Sequence, residues 1–254
     1  MSEKLPDSNF NSDSTIVLLH GYCEASWVWD STCSVLRAGY PCLALDLPGF
    51  GQGPILPDEV SIDAIALEVW KELDRLHIRS CTLIGHSLGG YVALAMAESR
   101  PSDIRGLVLF HSTSFADTPE KRENRNKVIS FVEQHGPKQF LDSFAPGLFY
   151  EQGSTKAREF RKAIDSTSSE AILYYAEAMR DRPDRSANFR GLRVPKMVVG
   201  GRFDLIIPPE VSQNIRDAGG DAELVFLEKS AHVGMLEEPE KSLEILKNFA
   251  KKCS

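Results

Sequence analysis

Short apolar runs with many β-branched residues punctuate the chain: Thr15 to Leu19, Cys42 to Leu45, Cys81 to Ile84, Leu107 to Phe110, Lys196 to Val199 and Leu224 to Leu227. None alternates cleanly with polar residues, which is the pattern of strands covered on both faces in a parallel sheet. Between them the period changes. From Ile62 to Leu76, the residues Ile62, Ile65, Ala66, Val69, Leu73 and Leu76 fall near one helical face, and Leu88 to Glu98 is an Ala-rich helical stretch. Strand, helix, strand, helix is the order of a mostly parallel, doubly wound α/β sheet with helices on both faces.

The segment 117–190 interrupts this order. It holds no convincing strand and is rich in charged and aromatic residues, Phe140, Phe144, Phe149, Tyr150, Tyr174 and Tyr175 among them. It reads as an inserted helical cap over the sheet, so that 1–116 and 191–254 form the core. Asp13 is followed at once by the first strand-like run, leaving a short leader for any further opening strand. A sheet of about six strands follows on ordinary strand lengths. No repeat, low-complexity tract or Gly/Ser linker divides the chain.

Length and composition leave this picture in place. The 254 residues suit one α/β domain with an insertion, and 42% hydrophobic with 26% charged residues is ordinary for a globular protein. The net charge of -7 weighs against nucleic acid, whose phosphates are met by clustered Lys and Arg. The five cysteines lie far apart, with no C-x-x-C and no Cys/His spacing for zinc, and read as free thiols in a reducing compartment. The first residues lack an apolar signal region, and no later run approaches the ~18 apolar residues of a membrane span. A cytoplasmic protein without a membrane span is expected.

The strongest chemical signal is Gly85-His86-Ser87-Leu88-Gly89-Gly90, which follows an apolar strand and opens the Ala-rich helix. In a G-x-S-x-G turn the serine sits in strained geometry, the glycines keep side chains away from it, and the helix N-terminus presents positive dipole. Ser87 is the candidate nucleophile, the alternative being a glycine-rich turn with an idle serine. A serine hydroxyl needs a base to take its proton and a third group to hold that base. Of six histidines, His20 and His86 lie in glycine-flanked loops, His77 ends a helix and His135 lies in the insertion. His232 follows the last strand-like run, at the same sheet edge as Ser87, and is the candidate base. Asp204, after the run that ends Gly200-Gly201, completes the order Ser, Asp, His. Asp117 is the competing acid, and Asp204 could instead cap the helix near Pro208.

A tetrahedral oxyanion needs preorganised donors. The backbone N–H groups of Leu88, directly after the nucleophile, and of Tyr22, in the His20-Gly21-Tyr22 turn after the first long strand, are the candidates. With these motifs assembled, the chain resembles an α/β-hydrolase-fold serine hydrolase of the subgroup with a helical cap after the family's sixth strand, over nearly its whole length. Asp46-Leu47-Pro48-Gly49-Phe50-Gly51 is similar to the family's D-x-P-G-x-G loop, and Val233 to Pro239 to its stretch after the histidine. Two features depart from the family: Gln52-Gly53-Pro54 stands where a serine is usual, and the leader is short for two further opening strands.

The resemblance implies attack by Ser87 on a carbonyl with His232 as base, Asp204 ionised beside it, Tyr22 and Leu88 N–H groups on the oxyanion, and release of the acyl group by water, with no metal and no organic cofactor. It implies a small-molecule substrate, with an ester of carboxylic acid as the leading substrate class. C–C bond hydrolases, lactonases, thioesterases, aminopeptidases, cofactor-free peroxidases and lyases of the same fold share such a site, as does a slow-turnover ligand sensor. Phe144, Leu148 and Phe149 of the cap and Val233 after the histidine are candidates for an apolar pocket, against ordinary cap-to-core packing. His111 is a further lining candidate or a hydrogen-bonded structural histidine.

Overall fold

The computed structural model describes residues 14–253. Six parallel strands form one sheet: β1 (Thr15–Leu19), β2 (Cys42–Leu45), β3 (Cys81–His86), β4 (Ile104–Phe110), β5 (Lys196–Gly201) and β6 (Glu223–Leu227), in the order β2-β1-β3-β4-β5-β6. Every residue of β1, β3 and β5 is buried, so both faces of the sheet centre are covered, as the unbroken apolar runs predict. The expected sheet of six strands is the sheet found among the described residues; the leader before Asp13 lies outside them.

Helices α1 (Asp30–Leu36), α2 (Ile62–Arg75) and α3 (Leu88–Ser99) connect the first four strands, and α9 (Pro209–Ala218), α10 (Gly234–Glu237) and α11 (Pro239–Ala250) the last two and the end. The α1 helix packs on α11, while α2 lies on α3. In α2 the predicted face is buried at Ile62, Ile65, Ala66, Val69 and Leu73, with Trp70 beside it, and the Ser61 hydroxyl caps the helix by accepting from the Ala64 N–H at 3.0 Å. The α3 helix is buried from Leu88 to Ala97, which its small residues permit.

Between β4 and β5 the chain runs through α4 (Pro119–His135), α5 (Pro137–Phe144), α6 (Thr155–Ala163), α7 (Ser169–Asp181) and α8 (Ser186–Gly191), with no strand among them. Two buried hydroxyls of α7 and the β1 loop tie this stretch down: Tyr175 donates to the Pro48 carbonyl at 2.9 Å and Tyr22 to the Ile172 carbonyl at 2.7 Å. Arg185 joins α8 to the core by ion pairs with Asp63 of α2 and Glu98 of α3. No helix among the described residues is long and apolar enough to cross a membrane.

The order of the strands positions the site. The chain moves from β1 to one side for β2, then returns to the other side of β1 for β3. Loops leaving β1 and β3 therefore diverge and leave a crevice at their carboxyl ends, where open parallel sheets bind ligands.

Candidate active site

Ser87 lies at that crevice, between the last residue of β3 and the first of α3, with φ 49 and ψ -113. A non-glycine residue in this region is strained by about 1–3 kcal/mol, and the surroundings must hold it there. They do so by hydrogen bonds from the Ser87 N–H to the Phe110 carbonyl at 3.0 Å and from the Ser112 hydroxyl to the Ser87 carbonyl at 2.6 Å. The sharp turn brings α3 back across β1 and β3. A Cβ on Gly89 would collide with the Leu19 and His20 carbonyl oxygens, and one on Gly85 with the Gly89 backbone, so these positions admit glycine alone.

Three predicted residues meet. His232 Nε2 is 2.9 Å from Ser87 Oγ, and His232 Nδ1 is 2.8 Å from Asp204 Oδ2. The other Asp204 oxygen accepts the Ile206 and Ile207 N–H groups at 2.8 and 2.9 Å, so the residue does not cap the helix after Pro208. Burial would raise its pKa, but the facing His232 and the hydrogen bond from His111, with that from His232, outweigh burial and hold it well below the usual carboxylate range. Asp117, the competing acid, instead faces Arg125 at 3.1 Å and Arg182 at 2.8 Å.

His111 lies behind the acid. Its Nδ1 is 3.0 Å from the same Asp204 Oδ2, its ring is fully buried and its Nε2 has no partner. Burial pushes its pKa down to about 4 against the pull of Asp204, so the ring is neutral with the proton on Nδ1. His111, Asp204 and His232 converge closely enough to invite comparison with a metal site. The nitrogen-to-oxygen separations of 3.0 and 2.8 Å are those of N–H···O bonds, whereas two ligands of one tetrahedral zinc stand roughly 3.3 Å apart.

A second buried acid–histidine pair lies under the same loops. Glu24 Oε2 accepts the Gly21 N–H at 2.7 Å and is 2.9 Å from His86 Nδ1, while His86 Nε2 donates to the His232 carbonyl at 2.8 Å. Both ring nitrogens of His86 face acceptors, which requires the imidazolium. Burial disfavours that charge, but Glu24 outweighs it and raises the His86 pKa. One ion pair thus joins the loops after β1, β3 and β6. His20 is the neutral counterpart: its Nε2 accepts the Leu47 N–H at 2.9 Å, leaving Nδ1–H to donate to the Gly21 carbonyl at 2.8 Å.

The Asp46 loop is closed by its own acid, whose two oxygens accept the Ser26 N–H at 2.6 Å and the Gln52 N–H at 2.7 Å. Gln52, where the resembled family usually has serine, enters this closure through its backbone. The Leu88 N–H lies in the first turn of α3, where no intrahelical acceptor exists, and Tyr22 follows the β1 end across the crevice.

A cavity of about 40 Å³ opens on Ser87 and His232. Phe144 and Leu148 line it; Phe149, Val233 and His111 do not. Phe149 instead packs on the buried Phe160, at 5.4 Å between rings, and Val233 and His111 are buried behind the histidine and the acid. Sequence reasoning did not find Glu24, Tyr91, Arg125, Met179 or Ile206, which also line it. The approach of Arg125 and Met179 to Ser87 is a tertiary contact with no local sequence pattern. The insertion also reaches the candidate base, since the His232 N–H donates to the Leu148 carbonyl at 2.9 Å.

A parallel doubly wound sheet with a serine in a strained turn at its switch point defines an α/β hydrolase architecture. The family model described as "Alpha/beta hydrolase family" matches residues 16–244, and the chain belongs to that family. The chain is similar to RutD of Pseudomonas syringae pv. syringae (strain B728a), named as a carbamate hydrolase, with 28% identity over 89% of each chain. It is similar to the pimeloyl-[acyl-carrier protein] methyl ester esterase of Aeromonas hydrophila subsp. hydrophila, with 27% identity over 94% of this chain and 96% of that one. Among solved structures, a thermophilic esterase from Thermogutta terrifontis, with malate bound, superposes with a TM-score of 0.88 at 26% identity, over 94% of this chain and 90% of the other.

Proposed function

We propose that the protein is a serine hydrolase that cleaves a carboxylic ester or related acyl bond of a small substrate through an acyl-enzyme. The observation that carries this reading is the unbroken line from Ser87 Oγ through the His232 ring to Asp204 at 2.9 and 2.8 Å, beneath a cavity that reaches the serine. In this reading His232 Nε2 takes the Ser87 proton as Oγ attacks the carbonyl carbon. The Tyr22 and Leu88 N–H groups hold the oxyanion, and His232 returns the proton to the departing alcohol. Water, activated by the same nitrogen, then releases the acid. Asp204 stays ionised and keeps His232 in the tautomer with Nε2 free.

The segment 117–190 acts as a cap on the core of 1–116 and 191–254, since α4, α5, α7 and the turn after α5 supply Arg125, Phe144, Met179 and Leu148 to the cavity. A volume of about 40 Å³ equals roughly three to four water-sized probe spheres, which favours a short chain at the reacting carbonyl. Relatives named for methyl ester and carbamate hydrolysis support an ester or related acyl bond.

The test is hydrolysis of a short-chain p-nitrophenyl ester by the wild type and Ser87→Ala, with fluorophosphonate labelling read by intact mass. Multiple turnover, one adduct on Ser87, and a loss of about 10⁴-fold or more in kcat for the variant are expected. An unlabelled Ser87 with a variant as active as the wild type overturns the assignment and favours a ligand-sensing role.

A further inference from the structure

The walls of the cavity over Ser87 are aromatic and aliphatic except for Ser87 and His232 themselves, the Glu24–His86 pair and one more group, the guanidinium of Arg125. Glu24 and His86 neutralise each other at 2.9 Å. Arg125 is balanced only in part. Its Nε donates to Asp117 Oδ2 at 3.1 Å, and Asp117 is the one partner described for it.

That carboxylate is shared. Asp117 also faces Arg182 at 2.8 Å, and the Arg182 side chain is almost wholly buried. Arg182 also donates to the Met179 carbonyl at 2.6 Å and the Phe115 carbonyl at 2.9 Å, and lies over the Tyr91 ring at 3.9 Å. Asp117 thus serves two guanidiniums, and Arg182 also acts on the Asp184 carboxylate, so the Arg125 guanidinium at the cavity wall holds only a shared partner. The Arg125 side chain is 23% exposed, so water solvates it only partly. Its Nε–H is used, whereas the two terminal nitrogens, which form the fork that matches a carboxylate, have no described protein partner. The charge also acts inside the cavity: burial pushes the Tyr22 hydroxyl well above its usual pKa, and Arg125 pulls against that rise.

We propose that Arg125 binds a carboxylate of the substrate, so that the preferred substrate is a short-chain ester bearing a carboxylate remote from the reacting carbonyl. The proposal rests on the reading of Ser87 as nucleophile. The Arg125 cation lies at the cavity wall itself, where it acts on an anion at short range in a protein whose net charge is -7.

The test compares kcat/KM for monomethyl glutarate and methyl pentanoate, esters of equal chain length, in the wild type, Arg125→Met and Arg125→Lys. The ratio of acidic to neutral ester is expected to fall at least tenfold in Arg125→Met, mainly through KM of the acidic ester, and to recover in part in Arg125→Lys. Calorimetric binding of free glutarate to the wild type, weakened at least tenfold in Arg125→Met, gives a readout that needs no turnover. An unchanged ratio in all three proteins, or glutarate binding indifferent to residue 125, overturns the proposal. If Ser87 is unlabelled by fluorophosphonate while glutarate still binds through Arg125, the hydrolase reading fails and the carboxylate site stands.

Discussion

At the scale of single residues, the site depends on how protons are distributed among four histidines held in one buried region. His86 is charged because a carboxylate and a carbonyl face its two nitrogens; His20 is neutral because one nitrogen must accept a backbone N–H. His111 is neutral because burial outweighs the Asp204 carboxylate beside it. Its folded pKa of about 4 lies below the ordinary histidine value of 6.5, so the unfolded chain binds more protons between these two pH values. The stability linked to this group is therefore fully present above about pH 6.5 and is lost progressively as pH falls toward 4, by up to ~3 kcal/mol. Replacement by asparagine, which tolerates the positive φ of 48, removes that dependence. Urea unfolding at pH 7 and pH 5 should show a smaller loss of stability on acidification for His111→Asn than for the wild type; equal losses would remove His111 as the source.

At the scale of elements, the crossing of α3 over β1 and β3 fixes where the serine stands, and its closeness depends on glycine. Gly89→Ala places a methyl group against the Leu19 and His20 carbonyls, which are backbone and cannot swing away. A destabilisation of roughly 2–3 kcal/mol, with a lowered kcat from a displaced Ser87, is expected by chemical unfolding and ester hydrolysis. This crossing was legible in the sequence because its cause is local: Gly85, Ser87 and Gly89 are neighbours with an apolar strand on one side and an Ala-rich helix on the other. Strands were legible for the same reason. The runs from Thr15 and Cys42 coincide with β1 and β2, whereas the run from Leu107 misses the first three residues of β4, because exposed Arg105 and buried Gly106 break the apolar pattern. Pocket walls were less legible. Phe149 follows Leu148 directly, yet the turn after α5 sends one to the cavity and the other away from it, against the buried Phe160. Glu24 and His86 are 62 positions apart, and Arg125 comes from a helix with few buried residues, so no periodicity marks any of them as part of the site.

At the scale of the whole molecule, six parallel strands point the same way, and Tyr22, Ser87, Asp204 and His232 all follow strands, at one rim of the sheet. The opposite rim, where strands begin, includes the turn between α9 and β6 with Gly220 exposed at φ 74. The protein therefore has a working end and a handle. A short flexible peptide spliced after Gly220 should leave ester hydrolysis within about twofold of the wild type, since loop length costs only ~0.6 kcal/mol per doubling. The same peptide spliced after Leu205, which is also exposed but lies at the working end, should abolish hydrolysis by pulling the Ile206 and Ile207 N–H groups from Asp204. A molecule polarised in this way can be anchored, tagged or fused through its handle, with the cavity facing outward from whatever carries it.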